Sequence, residues 1–343
     1  MSSHNLGNPN FSNLQRIHDI EQLLNALKID LANPITEPAP VSESALSVSP
    51  TTTVATKKAT NTSNKTPFSF EFFPTQTEEG QAKLLTTFEQ LNVLKPQYFS
   101  VTYGAGGSTR ERTLGIVESL SKKSATPITP HLSCIGDDKA EIGELLDYYK
   151  TLGINRLVAL RGDLPSGMVG LGELPFAVDL VEFIREHSGD YFRIKVAAYP
   201  EMHPQAKNFE SDIQNLVNKY RAGADEAITQ FFYNADSYLY LRDALAKQGV
   251  TQDNFPIIAG IMPITNAANL IRFADGCGAD IPRFIRKQLA DFDDNKKAIK
   301  AFGFEVVLKL CERLIAEGVP SLHFYSMNHV NPNKELVEAL GLV

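Results

Sequence analysis

The chain has 343 residues, 43% of them hydrophobic, which supports a sizeable core in an ordinary soluble globular protein. Its 33 basic and 40 acidic residues give a net charge of -7, which argues against nonspecific binding to nucleic acid or to an anionic membrane. Cys134, Cys277 and Cys311 lie far apart without Cys-x-x-Cys spacing, and no apolar run nears the ~20 residues that span a bilayer, so neither a disulfide framework, a structural zinc site, a membrane segment nor secretion is indicated and a reducing cytoplasm is the expected location.

Residues 1–66 differ in composition from the remainder and read as an N-terminal extension. Ile17, Ile20, Leu23, Leu24 and Leu27 recur at helical spacing, which predicts a short amphipathic helix over roughly 13–30. It would be a flap docked on the main domain or on a neighbouring subunit, or a dedicated partner motif. Asn33 to Thr66 is rich in Pro, Ser, Thr and Ala, too polar to offset the entropy of ordering, and reads as a disordered linker.

From Pro67 to Val343 short apolar runs alternate with helical patterns. Strands are predicted at Phe68–Phe73, Tyr98–Thr102, Ile128–Leu132, Arg156–Leu160, Ile194–Ala198, Ala227–Phe231, Ile257–Ile261 and Leu322–Tyr325. Helices are predicted between them at Glu78–Leu91, Arg110–Lys122, Lys139–Leu152, Phe176–His187, Asp212–Ala222 and Ser237–Lys247. Eight strand and helix repeats over residues 67–343 match an α/β fold of the (β/α)8 TIM barrel type, whose usual size is ~250 residues. The connection from Met262 to Ser321 is longer and carries extra helices.

Polar residues recur at the C-terminal strand ends, where a barrel gathers its chemistry: Glu71, Thr102, His131, Arg161 with Asp163, Tyr199 with His203, Gln230, and Tyr325. Singly, each reads as easily as a hydrogen-bonded structural group. Arg161 and Asp163 follow the run Leu157 to Leu160, either as site residues or as an ion pair closing the strand. Glu71 lies within Phe68-Ser69-Phe70-Glu71-Phe72-Phe73-Pro74. A carboxyl isolated among aromatic rings has a raised pKa, as a general acid near neutral pH requires; the alternative is a carboxylate paired with arginine. Thr102 to Thr109 is a glycine-rich stretch before a helix, read as a phosphate cradle or as an ordinary turn.

At these positions the sequence resembles the methylenetetrahydrofolate reductase family, bacterial single-domain type. The resemblance is carried by Phe-Glu-Phe-Phe-Pro at 70–74, Val-Thr-Tyr-Gly-Ala at 101–105, Pro-His-Leu at 130–132 and Ala-Leu-Arg-Gly-Asp-Leu-Pro at 159–165. It continues through Ala-Ala-Tyr-Pro-Glu at 197–201 with His203-Pro204, Ile-Thr-Gln-Phe-Phe at 228–232, and His-Phe-Tyr at 323–325.

The resemblance implies an FAD enzyme of one-carbon metabolism and methionine biosynthesis that passes hydride from NADH or NADPH to 5,10-methylenetetrahydrofolate, giving 5-methyltetrahydrofolate. Its partners would be the folate, the nicotinamide dinucleotide and further copies of itself. It places FAD against Thr102, Tyr103, Ala105, His131, Arg161, Gly162, Asp163, Ala177, Tyr199, His203, Ala206, Asp212, Asn215 and Lys219. Glu71 would be the acid that opens the folate's five-membered ring. Asp163 would stabilise a cationic iminium, Gln230 would hydrogen-bond the folate, and Phe273 would stack on the bound substrate. At the folate end two positions depart from the family: His329 stands where arginine is usual, and Asn269 where glutamine is common. The chain stops soon after its last helix, so the C-terminal regulatory domain of animal enzymes, and feedback by S-adenosylmethionine, are not expected. Two rivals stand beside this reading. A zinc-dependent methyl-transfer barrel needs clustered thiolates, and only Cys134 lies near a strand end; a folate-binding barrel without turnover needs no tuned acid.

Overall fold

Eight short segments pair edge to edge in parallel and close on themselves: β1 Phe68–Phe72, β2 Phe99–Val101, β3 Ile128–Ser133, β4 Arg156–Leu160, β5 Arg193–Ala198, β6 Glu226–Thr229, β7 Ile257–Ile261 and β8 Leu322–Tyr325. The computed structural model describes residues 65–103, 107–162 and 172–343. The helix expected over 13–30 and nearly all of the expected linker lie outside the described residues.

Helices follow the strands: α1 Glu78–Asn92, α2 Gly107–Lys123, α3 Lys139–Thr151, α4 Ala177–Ser188, α5 Phe209–Arg221 and α6 Ala235–Ala246. The long seventh connection carries α7 Ala267–Cys277, α8 Arg283–Asp291 and α9 Lys296–Ala316, and α10 Asn333–Ala339 follows β8. Strands β4, β7 and β8 coincide with their expected bounds, whereas Tyr98 and Thr102 fall just outside β2, and Gln230 and Phe231 fall past the end of β6. Helix α5 starts three residues before its expected position because Asn208 caps it, its side chain accepting from Ser211 N at 2.8 Å while Ser211 Oγ accepts from Asn208 N. No helix among the described residues is long and apolar enough to cross a membrane.

Alternation along each strand divides two cores. On β1, Phe70 and Phe72 point outward to the helices, where their rings pack at 6.0 and 5.5 Å from Phe99 while Phe88 of α1 closes to 4.6 Å. All four are essentially fully buried, and each contributes on the order of 1.5–3 kcal/mol through removal from water. Ser69 and Glu71 take the other parity and face the barrel interior. That interior has two halves. Val158, Ile228 and Ile258, with Leu160 beside them, form an apolar cluster from β4, β6 and β7. Ser69, Ser100, Thr129 and His323 supply a buried polar half from β1, β2, β3 and β8. Toward the N-terminal end Lys195, 1% exposed, pairs with Glu226, and its ammonium lies 4.5 Å from the centroid of the Tyr98 ring. Burial pushes Lys195 down to about 8 against the opposing pull of Glu226.

Candidate active site

Parallel pairing places Glu71 of β1 level with Ser100 on one side and Tyr325 on the other, at the C-terminal mouth of the barrel. Three groups from three other strands meet its Oε2. Ser100 Oγ donates to it at 3.0 Å, His131 Nε2 of β3 stands at 3.0 Å, and His323 Nε2 of β8 at 3.3 Å. The carboxyl expected to be isolated among aromatic rings, with a raised pKa, is therefore neither isolated nor raised. Burial pushes Glu71 up, but His131 and then His323 overturn that effect and hold the carboxyl well below the usual carboxylate range. The reason is parity: the neighbouring phenylalanines in the chain face the helices, and the true neighbours come from distant strands. No arginine takes part among the described residues.

Glu71 and His131 stand in the wall of a cavity that is also lined by Leu160, Tyr199, Gln230, Phe273 and Tyr325. Two ring faces border it, Phe73 being 40% and Phe273 38% exposed, so a flat heterocycle entering it meets aromatic surface as well as polar groups. Tyr325 crosses the barrel to donate from its hydroxyl to Thr229 O at 2.6 Å. That path requires a glycine at 260, since a Cβ there would lie 2.1 Å from Thr229 O and 2.8 Å from the Tyr325 ring.

The loop after β8 clamps the end of β1. Ser326 Oγ donates to Glu71 O, and the Asn328 side chain accepts from Phe73 N at 3.1 Å while donating to Phe73 O at 2.9 Å. Met327 and Asn328 both hold positive φ, 53° and 55°, a conformation that non-glycine residues keep only where the surroundings enforce it. The result is a carboxylate and an adjoining aromatic wall fixed at their backbones.

Beyond Tyr199 the space continues into a second lobe lined by Arg161, Ala177, Tyr199, His203, Ala206, Asp212, Asn215 and Lys219. Tyr103 and Gly162 border the passage between them. Lys219 Nζ donates to Ala197 O at 2.6 Å and makes no ion pair with a described carboxylate; burial pushes it down to about 8, opposed by Asp212. Asp212 in turn accepts from His203 N at 2.8 Å, and the Tyr199 and His203 rings meet edge to face at 4.5 Å. Gly162 has φ 86°, and a Cβ on it would lie 2.0 Å from Ser133 Oγ, so the chain can turn into this lobe only without a side chain. A part-buried cation whose Nζ meets a backbone carbonyl, small walls at Ala177 and Ala206, and an aromatic pair fit a dinucleotide with its phosphates.

Most of the candidates from the sequence thus converge: Glu71, His131, Tyr199, Gln230 and Phe273 on the first cavity, Arg161, Ala177, His203, Ala206, Asp212, Asn215 and Lys219 on the second, and Tyr103 and Gly162 on the passage between them. Asp163 and Ala105 lie outside the described residues. Thr102, Asn269 and His329 do not line these cavities. Thr102 ties β1 to β2 through its backbone, its N donating to Phe72 O at 2.9 Å, and Asn269 N donates to the α7 cap Asn266 at 2.8 Å. His329 is exposed. Ser100, His323 and Met327 were not singled out from the sequence; for His323 the only available signal was its place in the His-Phe-Tyr motif.

Comparison with known proteins shows the family. The family model for Methylenetetrahydrofolate reductase matches residues 56–341. The 5,10-methylenetetrahydrofolate reductase of Buchnera aphidicola subsp. Schizaphis graminum is 38% identical over 286 residues, 83% of this chain and 96% of that protein. That of Escherichia coli is 38% identical over 274 residues, 80% and 90% of the two chains. Methylenetetrahydrofolate reductase (NADH) 1 of Arabidopsis thaliana is 35% identical over 299 residues, 83% of this chain and 50% of that longer protein. An uncharacterized Clostridium thermocellum protein, solved with two copies of 5-methyl-5,6,7,8-tetrahydrofolic acid, superposes with TM-score 0.55 at 17% identity over 81% of this chain and 93% of that one, a likeness of fold. With a family match over nearly the whole barrel, the chain belongs to the methylenetetrahydrofolate reductase family.

Proposed function

We propose that the protein reduces 5,10-methylenetetrahydrofolate to 5-methyltetrahydrofolate, with NADH as hydride donor and FAD bound in the second lobe. The observation that carries this reading is the placement of a buried carboxylate, Glu71, in the wall of an aromatic-bordered cavity that opens through Tyr199 into a lobe containing the Lys219 cation. Family membership supports the folate, and the Arabidopsis relative's name supports NADH over NADPH. The unpaired thiols of Cys134, Cys277 and Cys311 accord with a cytoplasmic enzyme.

In this reading Lys219 and Arg161 would hold the phosphates and Tyr199 with His203 would border the ring system. Bound FAD supplies the two-electron carrier between nicotinamide and folate. The pterin would lie between Phe273 and Glu71, with Gln230 as a hydrogen-bonding partner, and Asp163 would supply the negative charge that stabilises the cationic iminium. Asn269 and His329, which line neither cavity, would meet only the acidic tail. Covering the mouth removes the remaining water from a carboxyl that is 14% exposed, which adds to the burial that favours the protonated form and opposes the pull of His131 and His323. Glu71 then gives its proton to the nitrogen that leaves when the five-membered ring opens.

Anaerobic absorbance tests this directly. The purified protein is expected to be yellow with noncovalently bound FAD, to bleach with NADH, and to recover its colour with methylenetetrahydrofolate. A protein that takes up no added FAD, or whose reduced flavin is not reoxidised by the folate, would refute the reading.

A further inference from the structure

His323 is the one titratable side chain that touches Glu71 from beneath, on the barrel side. It is fully buried, with its Nδ1 2.7 Å from Ser69 Oγ and its Nε2 3.3 Å from both Glu71 Oε2 and Ser100 Oγ. Ser69 fixes the ring so that Nε2 is the atom presented to the carboxylate. The Tyr98 ring stacks on it at 5.6 Å, and Tyr325 meets it edge on at 5.5 Å. The remaining charged groups that face this cluster are His131 from β3, and Lys195 from β5 with its partner Glu226 from β6.

Each turnover of the proposed reaction consumes one proton, which must return to Glu71. Of its two imidazole neighbours, His131 lines the ligand cavity and is covered when folate binds, whereas His323 lies behind the carboxylate. Burial holds the His323 ring below the usual imidazole value against the pull of Glu71, while Glu71 itself lies far lower. Between these two groups the proton therefore resides on the His323 ring and not on the carboxylate.

We propose that His323 is a positioning residue for Glu71 that also stores and returns its proton, so that Glu71 and His323 act as one acid. The inference rests on the function proposed above. In the step, the Glu71 O–H bond breaks as an N–H bond forms on the folate nitrogen that leaves. The imidazolium Nε2–H bond of His323 then breaks as the Glu71 O–H bond reforms, and once product has left, a solvent proton entering the open cavity passes by way of Glu71 Oε2 to the neutral, fully buried ring. No electrons move.

The test is the pH dependence of flavin reoxidation by methylenetetrahydrofolate, compared with that of flavin reduction by NADH, for the wild type and His323→Gln. Glutamine keeps a hydrogen-bond donor near Glu71 but cannot carry a proton. The wild-type reoxidation rate is expected to fall on the alkaline side. In His323→Gln that midpoint moves about one unit or more toward acid, reoxidation at neutral pH slows ~10-fold and recovers at low pH, and NADH bleaching is unchanged. An unchanged midpoint, a uniform loss at every pH, or an alkaline shift overturns the proposal. If His323→Gln does not fold or bind flavin, Ser69→Ala serves instead, since it releases Nδ1 and leaves the ring in place. A smaller acid shift is expected there, and an unchanged midpoint again overturns the proposal. A wild-type protein that the folate does not reoxidise refutes the proposed function, an outcome distinct from either.

Discussion

Replacing Glu71 with glutamine separates the two halves of the proposed reaction. The side chain is 14% exposed, and its Oε2 receives Ser100 at 3.0 Å, His131 at 3.0 Å and His323 at 3.3 Å. Glutamine preserves the volume, and its amide oxygen can still accept from Ser100, so the fold and the flavin lobe are left in place. What it lacks is a transferable proton. Loss of a positioned general acid lowers a rate by ~10²-fold to ~10⁴-fold, or about 2.7–5.5 kcal/mol of barrier. Hydride transfer from NADH needs no acid at the folate cavity, so bleaching is expected at the wild-type rate while folate reoxidation slows by at least the lower figure. Anaerobic stopped-flow absorbance follows both steps in one sample. Reoxidation within a few-fold of wild type would show that Glu71 is not the acid, and the reasoning from its three-strand environment would fail.

Arg185→Ala tests the rear of the barrel, where this guanidinium donates to Gly223 O at 3.0 and 2.7 Å, to Phe192 O at 2.8 Å and to Asp225 at 2.8 Å; leaving these acceptors unpaired is expected to cost roughly 2–4 kcal/mol in denaturant or thermal melts. Flavin affinity is expected to weaken as pH rises through about 8, because burial depresses Lys219 and the ammonium that would meet the phosphates is present below that value and lost above it; fluorescence titration measures this, and Lys219→Ala should bind weakly with the dependence gone. Deleting residues 1–60 is expected to leave flavin content and turnover largely intact, since their composition points to a linker; loss of flavin from the shortened protein would place the extension within the active fold.

The strand set was legible because parallel barrel strands are short apolar runs with turn signals at both ends; β4, β7 and β8 match residue for residue. Family motifs brought out Glu71 and the residues of the second lobe. The surroundings of Glu71 were not legible. Its aromatic neighbours in the chain differ from it in parity, and two of its real partners, Ser100 and His323, lie 29 and 252 residues away. Asn269 shows a further limit, since proximity to a helix cap and contact with a ligand call for the same small polar side chain.

The clasp between the first and last strands also bears on how the protein is made. Ser69 and His323 are 254 residues apart in the chain, and Ser326 and Glu71 are 255 apart. At translation rates of about 5–20 residues per second, β1 waits roughly 13–50 s for the strand that closes over it. Meanwhile the nascent chain carries a phenylalanine-rich strand with one unpaired edge, the kind of surface that recruits neighbouring chains or a chaperone. Glu71 gains His323 only when the ribosome has delivered β8, so the acid is assembled in a single late event and no shorter nascent chain carries it.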